Sequence, residues 1–171
     1  MFTSMGWQTE NLHNTALNIA DLEFFGFLRD PDARHSMGVA QFLFEENLDA
    51  LLDQPLVQPL LVSSCFDGHS LPLHACLPDS IIQRTTWFVM DHPVFNYEKL
   101  CRNYLRERGV MLPAVPKLHE SDDRKRGMRQ RVDLLKQQHQ SAHGKLVTGL
   151  LGADLRHYRD QIQIQHLWDR P

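Results

Sequence analysis

The sequence predicts a mainly α fold, with five to six helices in a compact bundle-like domain and a small β-hairpin near residues 60–77. Three observations predict it. Apolar residues recur every three or four positions through most of the chain, which is the period of an amphipathic helix. The 171 residues are 42% hydrophobic and 23% charged, a globular composition and a length that can bury a core without a disulfide or metal. A proline-rich segment at 55–78 interrupts the helical period.

The N-terminal part predicts a flexible leader over residues 1–14, followed by two helices. The first helix is expected over 18–29, because Asn18 suits an N-cap and apolar residues follow at helical spacing. The second is expected to begin after Asp32 and to continue to Gln54, where Pro55 ends it.

The segment that follows predicts a hairpin. Residues 60–66 suit a short strand, and Asp67-Gly68 suits a tight turn. Residues 71–77 would return as an edge strand, since Pro72 has no N–H to donate. A short helix over 70–77 is the alternative interpretation.

Two helices are expected next, over 80–90 and 93–108. The first could instead contain a strand, since Thr85, Thr86 and Val89 are β-branched. In the second, tyrosine, leucine and cysteine side chains form one apolar face.

The C-terminal part begins with a predicted linker over 110–120 and a long helix over 121–143. That helix has only a narrow apolar stripe, which favours a solvated helix or one that docks on a partner. Residues 146–162 fit a further helix, although Gly149 and Gly152 weaken the pattern and residues 161–168 alternate like a strand.

Charge is distributed unevenly along the chain. Residues 1–98 carry 3 Lys or Arg against 13 Asp or Glu, whereas residues 99–145 carry 12 against 5. The pattern predicts an acidic helical lobe with a hairpin insert at 15–109 and a basic helical region at 110–171. Either the basic region binds an anionic partner or the two regions attract each other across an internal interface.

The basic charges concentrate on one predicted helix. Guanidinium groups bind phosphate and carboxylate in a bidentate manner. The candidate residues for contact with nucleic acid or an acidic protein are Arg124, Lys125, Arg126, Arg129, Arg131 and Lys136. A solvated face is the alternative. Two helices within 79–108 could also form a DNA-reading helix-turn-helix, although the turn lacks its usual glycine.

A cluster of thiol and imidazole groups falls in the predicted hairpin. Cys65, His69, His74 and Cys76 are ligand types that zinc prefers, and pairing across the turn would bring them together. Their spacing lacks the CxxC knuckle of common zinc modules, so ordinary structural roles are the alternative. The three cysteines of the chain do not predict a disulfide framework.

Function is predicted from what these patterns have in common. The sequence contains none of the common nucleophile-elbow, P-loop, zincin or dinucleotide-binding motifs, so we do not expect an enzyme. We expect a cytoplasmic adaptor or regulator that acts through a protein partner or self-association, without a membrane span. No cofactor is expected on this interpretation. The alternatives are a regulator that binds nucleic acid through residues 124–136 and a zinc-stabilised binding module.

Overall fold

The computed structural model describes residues 23–66, 68, 70–111 and 122–167. It is mainly helical and includes a two-stranded sheet, which confirms the predicted fold class. No helix in the described ranges is long and apolar enough to cross a bilayer. The elements are β1 Phe24–Leu28, α1 Pro31–Glu45, a 3-10 turn Asp49–Asp53, α2 Gln58–Ser63, α3 Leu73–Cys76, α4 Asp79–Arg84, β2 Thr85–Val89, α5 Tyr97–Glu107, α6 Asp123–Gln138, α7 Gln140–Thr148 and α8 Gly152–Leu167.

The sheet pairs β1 with β2 in parallel, from Phe24 opposite Thr85 to Leu28 opposite Val89. The predicted helix over 18–29 is therefore wrong for residues 24–28, and residues 18–22 lie outside the described ranges. Aromatic residues favour a pleated strand, and glycine disfavours a helix. Gly26 also has a packing role, because a Cβ there would lie 2.7 Å from a Trp87 ring carbon.

The predicted hairpin near 60–77 is wrong, and two short helices, α2 and α3, occupy this region. Leu61 and Val62 are consecutive and both buried, which a one-sided strand does not allow. Pro59 lies in the first turn of α2, where its missing N–H costs no helical hydrogen bond. The alternative of a short helix over 70–77 is confirmed for residues 73–76.

The second predicted helix ends earlier than expected, at Glu45 rather than Gln54. Asn47 adopts a left-handed conformation with φ 54°, which stops α1 before the 3-10 turn. At its start, Asp30 Oδ1 accepts hydrogen bonds from the backbone N of Asp32 and Ala33 at 2.8 and 3.0 Å. This side chain caps the helix.

The remaining predictions are confirmed in part. The segment 80–90 changes from helix to strand at Thr85, as the β-branched alternative predicted. Helix α5 lies within the predicted 93–108. The helix predicted over 146–162 is interrupted at residues 149–151, so that residues 146–148 belong to α7 and residues 152–162 to α8. The helix predicted over 121–143 divides into α6 and α7 at His139, whose φ and ψ are −109° and 47°.

The core joins helices from both predicted regions. Val39 of α1, Leu61 of α2 and Val132 of α6 belong to one buried cluster. A second cluster joins one face of the sheet to Tyr158 of α8, and a third joins Phe88 to α5. The two strands therefore lie between α8 and α5.

Candidate functional site

Helix α6 carries all six residues predicted to contact nucleic acid or an acidic protein, and its arginines face acidic side chains of the same chain. Arg124 Nη2 lies 3.0 Å from Asp49 Oδ1, and Arg131 Nη2 lies 2.5 Å from Asp53 Oδ1. Both aspartates belong to the 3-10 turn, which packs beside α6. The acidic and basic regions thus meet across an internal interface, as one interpretation of the charge pattern predicted.

Two further arginines have partners on α6 itself. Arg126 Nη1 lies 3.2 Å from Asp123 Oδ1, and Arg129 Nε lies 3.9 Å from Asp133 Oδ2. These side chains are exposed, so each pair contributes little to stability. Lys125, another predicted binding residue, is half-buried.

Lys136 does not belong to an exposed binding surface, contrary to the prediction, because only 6% of the residue is exposed. Its Nζ donates hydrogen bonds to Asp32 Oδ1 at 2.6 Å and to the Asp32 carbonyl at 2.7 Å. Burial lowers the pKa of Lys136, although Asp32 opposes that shift. Burial raises the pKa of Asp32, but the Lys136 hydrogen bond and charge outweigh it, so this pKa is lowered. The pair joins the first turn of α1 to α6.

The predicted zinc ligands were expected on two paired strands, and this hairpin does not form. Cys65 follows α2, whereas His74 and Cys76 lie on α3, and His69 lies outside the described residues. Within the described ranges, no group of three or more His, Cys, Asp and Glu side chains is placed to hold a metal. Zinc binding stays a prediction without a structural arrangement to support it.

Asp154 forms a buried polar site that the sequence did not reveal. The residue is 1% exposed, and its carboxylate accepts hydrogen bonds from Leu73 N at 2.5 Å and His74 N at 3.0 Å. Its Oδ1 also lies 2.6 Å from His74 Nδ1. Pro72 precedes α3 and makes no side-chain cap. Asp154 supplies this cap from α8, 81 residues away from Leu73.

A cavity of about 390 Å³ opens beside this site, lined by His74, Arg156, His157 and Asp160 among others. The imidazole–carboxylate pair resembles the arrangement that orients a general base. Burial lowers the pKa of His157 and raises the pKa of the Cys76 thiol. The hydrogen bonds from the Leu73 and His74 amides give Asp154 a structural role, because they make it the cap of α3.

The face of β1 on the α5 side of the sheet carries a half-exposed aromatic surface, formed by Phe25, Phe27, Tyr97 and Tyr104. Phe25 and Phe27 are 45% and 49% exposed. Their ring centroids lie 6.4 Å apart in an edge-to-face arrangement, and the Phe27 ring lies 5.7 Å from that of Tyr97. Single exposed apolar side chains are normal on a protein surface, whereas a contiguous exposed patch such as this one is typical of an interaction site.

Charged groups border the aromatic surface at Tyr104. The Arg108 guanidinium lies 3.6 Å from the centroid of the Tyr104 ring, a cation–π contact. Glu23 accepts a hydrogen bond from Tyr104 Oη at 3.1 Å and another from Arg108 Nε. The hydrogen bond from Arg108, then that from Tyr104, lowers the pKa of Glu23.

Among the described residues, the backbone edge of β1 that faces away from β2 has no strand partner. Leu28 accepts a hydrogen bond from Met90 N at 2.7 Å, so the even-numbered residues of β1 direct their N–H and C=O groups toward β2. The corresponding groups of Phe25 and Phe27 point away. In the described part of the chain, no residue bonds to them.

Sequence reasoning assigned the phenylalanines of β1 to a buried helix, since their spacing also fits a helical stripe. The run of aromatic residues around a glycine was the only local signal for an exposed strand. Comparisons with family models, with curated proteins and with solved structures found no match for this chain.

Proposed function

We propose that this chain is a non-catalytic adaptor or regulator that acts through protein–protein contacts. The observation that supports the proposal is the aromatic surface of β1 and α5. Phe25 and Phe27 are about half exposed and lie beside an open strand edge. Aromatic side chains are enriched at protein interfaces, where they bury much area at low entropic cost. An open edge adds main-chain hydrogen bonds to such a contact.

Three predicted binding residues of α6 already have acidic partners within the chain. Arg124 and Arg131 are already neutralised by Asp49 and Asp53, and Lys136 is buried against Asp32. A nucleic acid would have to compete with these carboxylates for the same cations. A role for α6 toward an anionic partner therefore stays a prediction. The proposal of protein contact through the aromatic surface does not depend on it.

Affinity capture with the full chain tests the proposal, if captured proteins are purified and titrated individually. We expect at least one protein to bind the native chain with a defined stoichiometry. The Phe27→Ser variant should weaken that binding by about tenfold or more, as truncation of an interface anchor does. Leu134→Ser is the matched control, since Leu134 is 55% exposed on α6 and Phe27 is 49% exposed.

Circular dichroism and thermal unfolding of both variants would show that each remains folded. Equal binding by all three chains would place the contact elsewhere and refute the proposed surface. If no purified protein, the chain itself included, binds with a defined stoichiometry, the adaptor function is wrong.

A further inference from the structure

We propose that the open edge of β1 is occupied by β1 of a second copy of this chain, in antiparallel pairing about a two-fold axis at Gly26. Two sheets of two strands would become one sheet of four. The inference rests on the proposed function and deepens it, because it names the partner of the aromatic surface. It follows from three properties of residues 23–29: the direction in which the backbone N–H and C=O groups point, the positions of the charged residues, and the positions of the aromatic side chains.

The hydrogen-bond phase of β1 suits this pairing. Phe25 and Phe27 direct their N–H and C=O groups outward, and Gly26 directs its groups to β2. Antiparallel pairing centred on Gly26 places Phe25 opposite Phe27 of the second copy, so that these two residues exchange both hydrogen bonds. The two glycines then occupy the non-bonded position, where opposing strands approach most closely.

The charges at the ends of the strand are complementary in the same register. Glu23 precedes β1 and Arg29 follows it, so that each Glu23 lies opposite Arg29 of the other copy. A parallel, in-register arrangement would place Glu23 beside Glu23 and Arg29 beside Arg29. Opposite charges across a strand pair are favourable and like charges are unfavourable, so the charge order selects the antiparallel arrangement.

Among the described residues, the hydrogen-bond acceptors of the Arg29 guanidinium are thioether sulfurs. Its Nη1 lies 2.8 Å from Met37 Sδ and its Nη2 lies 4.0 Å from Met90 Sδ. Thioether sulfur is a weak acceptor, whereas a carboxylate accepts strong, charge-assisted hydrogen bonds from guanidinium. Glu23 of a second copy would supply that carboxylate, and in doing so would exchange its hydrogen bond from Arg108 of its own chain for one from Arg29.

The aromatic side chains complete the match. Residues 23, 25, 27 and 29 alternate onto the face of the sheet that carries α5, since successive side chains of a strand point to opposite faces. Phe25 of each copy would therefore lie against Phe27 of the other on one continuous face. Such cross-strand aromatic pairs stabilise antiparallel strands and would cover side chains that are now half exposed.

Charge reversal with sedimentation velocity tests the inference on the full chain. The native chain should show a concentration-dependent dimer. Glu23→Lys alone brings two Lys–Arg pairs together in its homodimer, and Arg29→Glu alone brings two Glu–Glu pairs together. We expect each variant to weaken its own dimer by about tenfold or more. An equimolar mixture of the two variants should recover the dimer, because each interface pair is then of opposite charge.

Two controls separate this interface from other effects. Asp53→Lys reverses an exposed charge that pairs with Arg131 on α6, and it should leave the dimer unchanged. Thermal unfolding should show that each variant remains folded. Amide exchange provides a second readout, since the Phe25 and Phe27 amides should become protected as the concentration of native chain rises.

A native chain that is monomeric at every concentration would overturn the inference. So would single variants that keep the native dimer, or a mixture that stays monomeric while both variants are folded. A monomeric chain that still binds a different purified protein through Phe27 would leave the proposed adaptor function standing. If the chain forms no dimer and binds no other purified protein through Phe27, the proposed adaptor function is wrong as well.

Discussion

Removal of the Asp154 carboxylate should break the hydrogen bonds that join α3 to α8 and so lower the stability of the fold. Asp154→Ala deletes the acceptor of two backbone amides, that of Leu73, which is buried, and that of His74, which is part-buried. Each lost hydrogen bond to a charged acceptor costs about 1–2 kcal/mol, because the amide stays buried without a partner. The free energy of unfolding should therefore fall by about 3 kcal/mol. For a chain of this size, that corresponds to a drop in Tm of about 6–12 °C.

Urea unfolding followed by circular dichroism measures this change, provided that the m-value stays constant. Asp160→Ala is the matched control, since Asp160 lines the same cavity but is exposed, and its loss should cost less than about 0.5 kcal/mol. Asp154→Asn should fall between the two, because one amide oxygen can still accept. An Asp154→Ala variant as stable as Asp160→Ala would refute the capping role.

Three further perturbations follow from buried contacts. Asp32→Ala leaves the Lys136 ammonium buried with only a carbonyl acceptor, and should cost about 2 kcal/mol in urea unfolding; a change below about 0.5 kcal/mol would contradict this. Gly26→Ala should cost about 1–3 kcal/mol, because the new Cβ would lie 2.7 Å from an indole carbon. Its control, Gly127→Ala, meets no atom within 4 Å and should stabilise α6 by about 0.5–1 kcal/mol; thermal melts that rank the two alike would refute the packing argument. Burial lowers the pKa of His35 from 6.5 to about 4. The unfolded chain therefore binds this proton more readily, so stability should be full above about pH 6.5 and fall toward pH 4. His35→Gln should flatten that part of the pH profile, and an unchanged slope would contradict it.

Several elements could be predicted from the sequence because their signals are local. Helix α5 has an apolar face at helical spacing, and Asn96 Oδ1 caps it by accepting a hydrogen bond from Lys99 N at 2.9 Å. The change from helix to strand at Thr85 was visible as an alternative, since β-branched residues favour strands. Such preferences act within a few residues and need no knowledge of the rest of the chain.

The candidate sites could be predicted only in part. The arginines of α6 were visible as a basic run, but their acidic partners Asp49 and Asp53 lie more than 70 residues away in the chain. The Cys and His cluster depended on a hairpin that does not form, because Leu61 and Val62 both have a core to face. Neither the distance to a carboxylate nor the burial of a side chain can be read from spacing alone.

The sequence by itself determined the mainly helical class, helix α5, and the contrast between acidic and basic regions. Only the tertiary structure decided that residues 24–28 form a strand, because its partner lies 61 positions further along the chain. It also decided that Lys136 is buried, that Asp154 caps α3, and that Phe25 and Phe27 remain half exposed. Local preference follows from the chemistry of neighbouring residues, whereas burial and pairing depend on which distant surfaces meet.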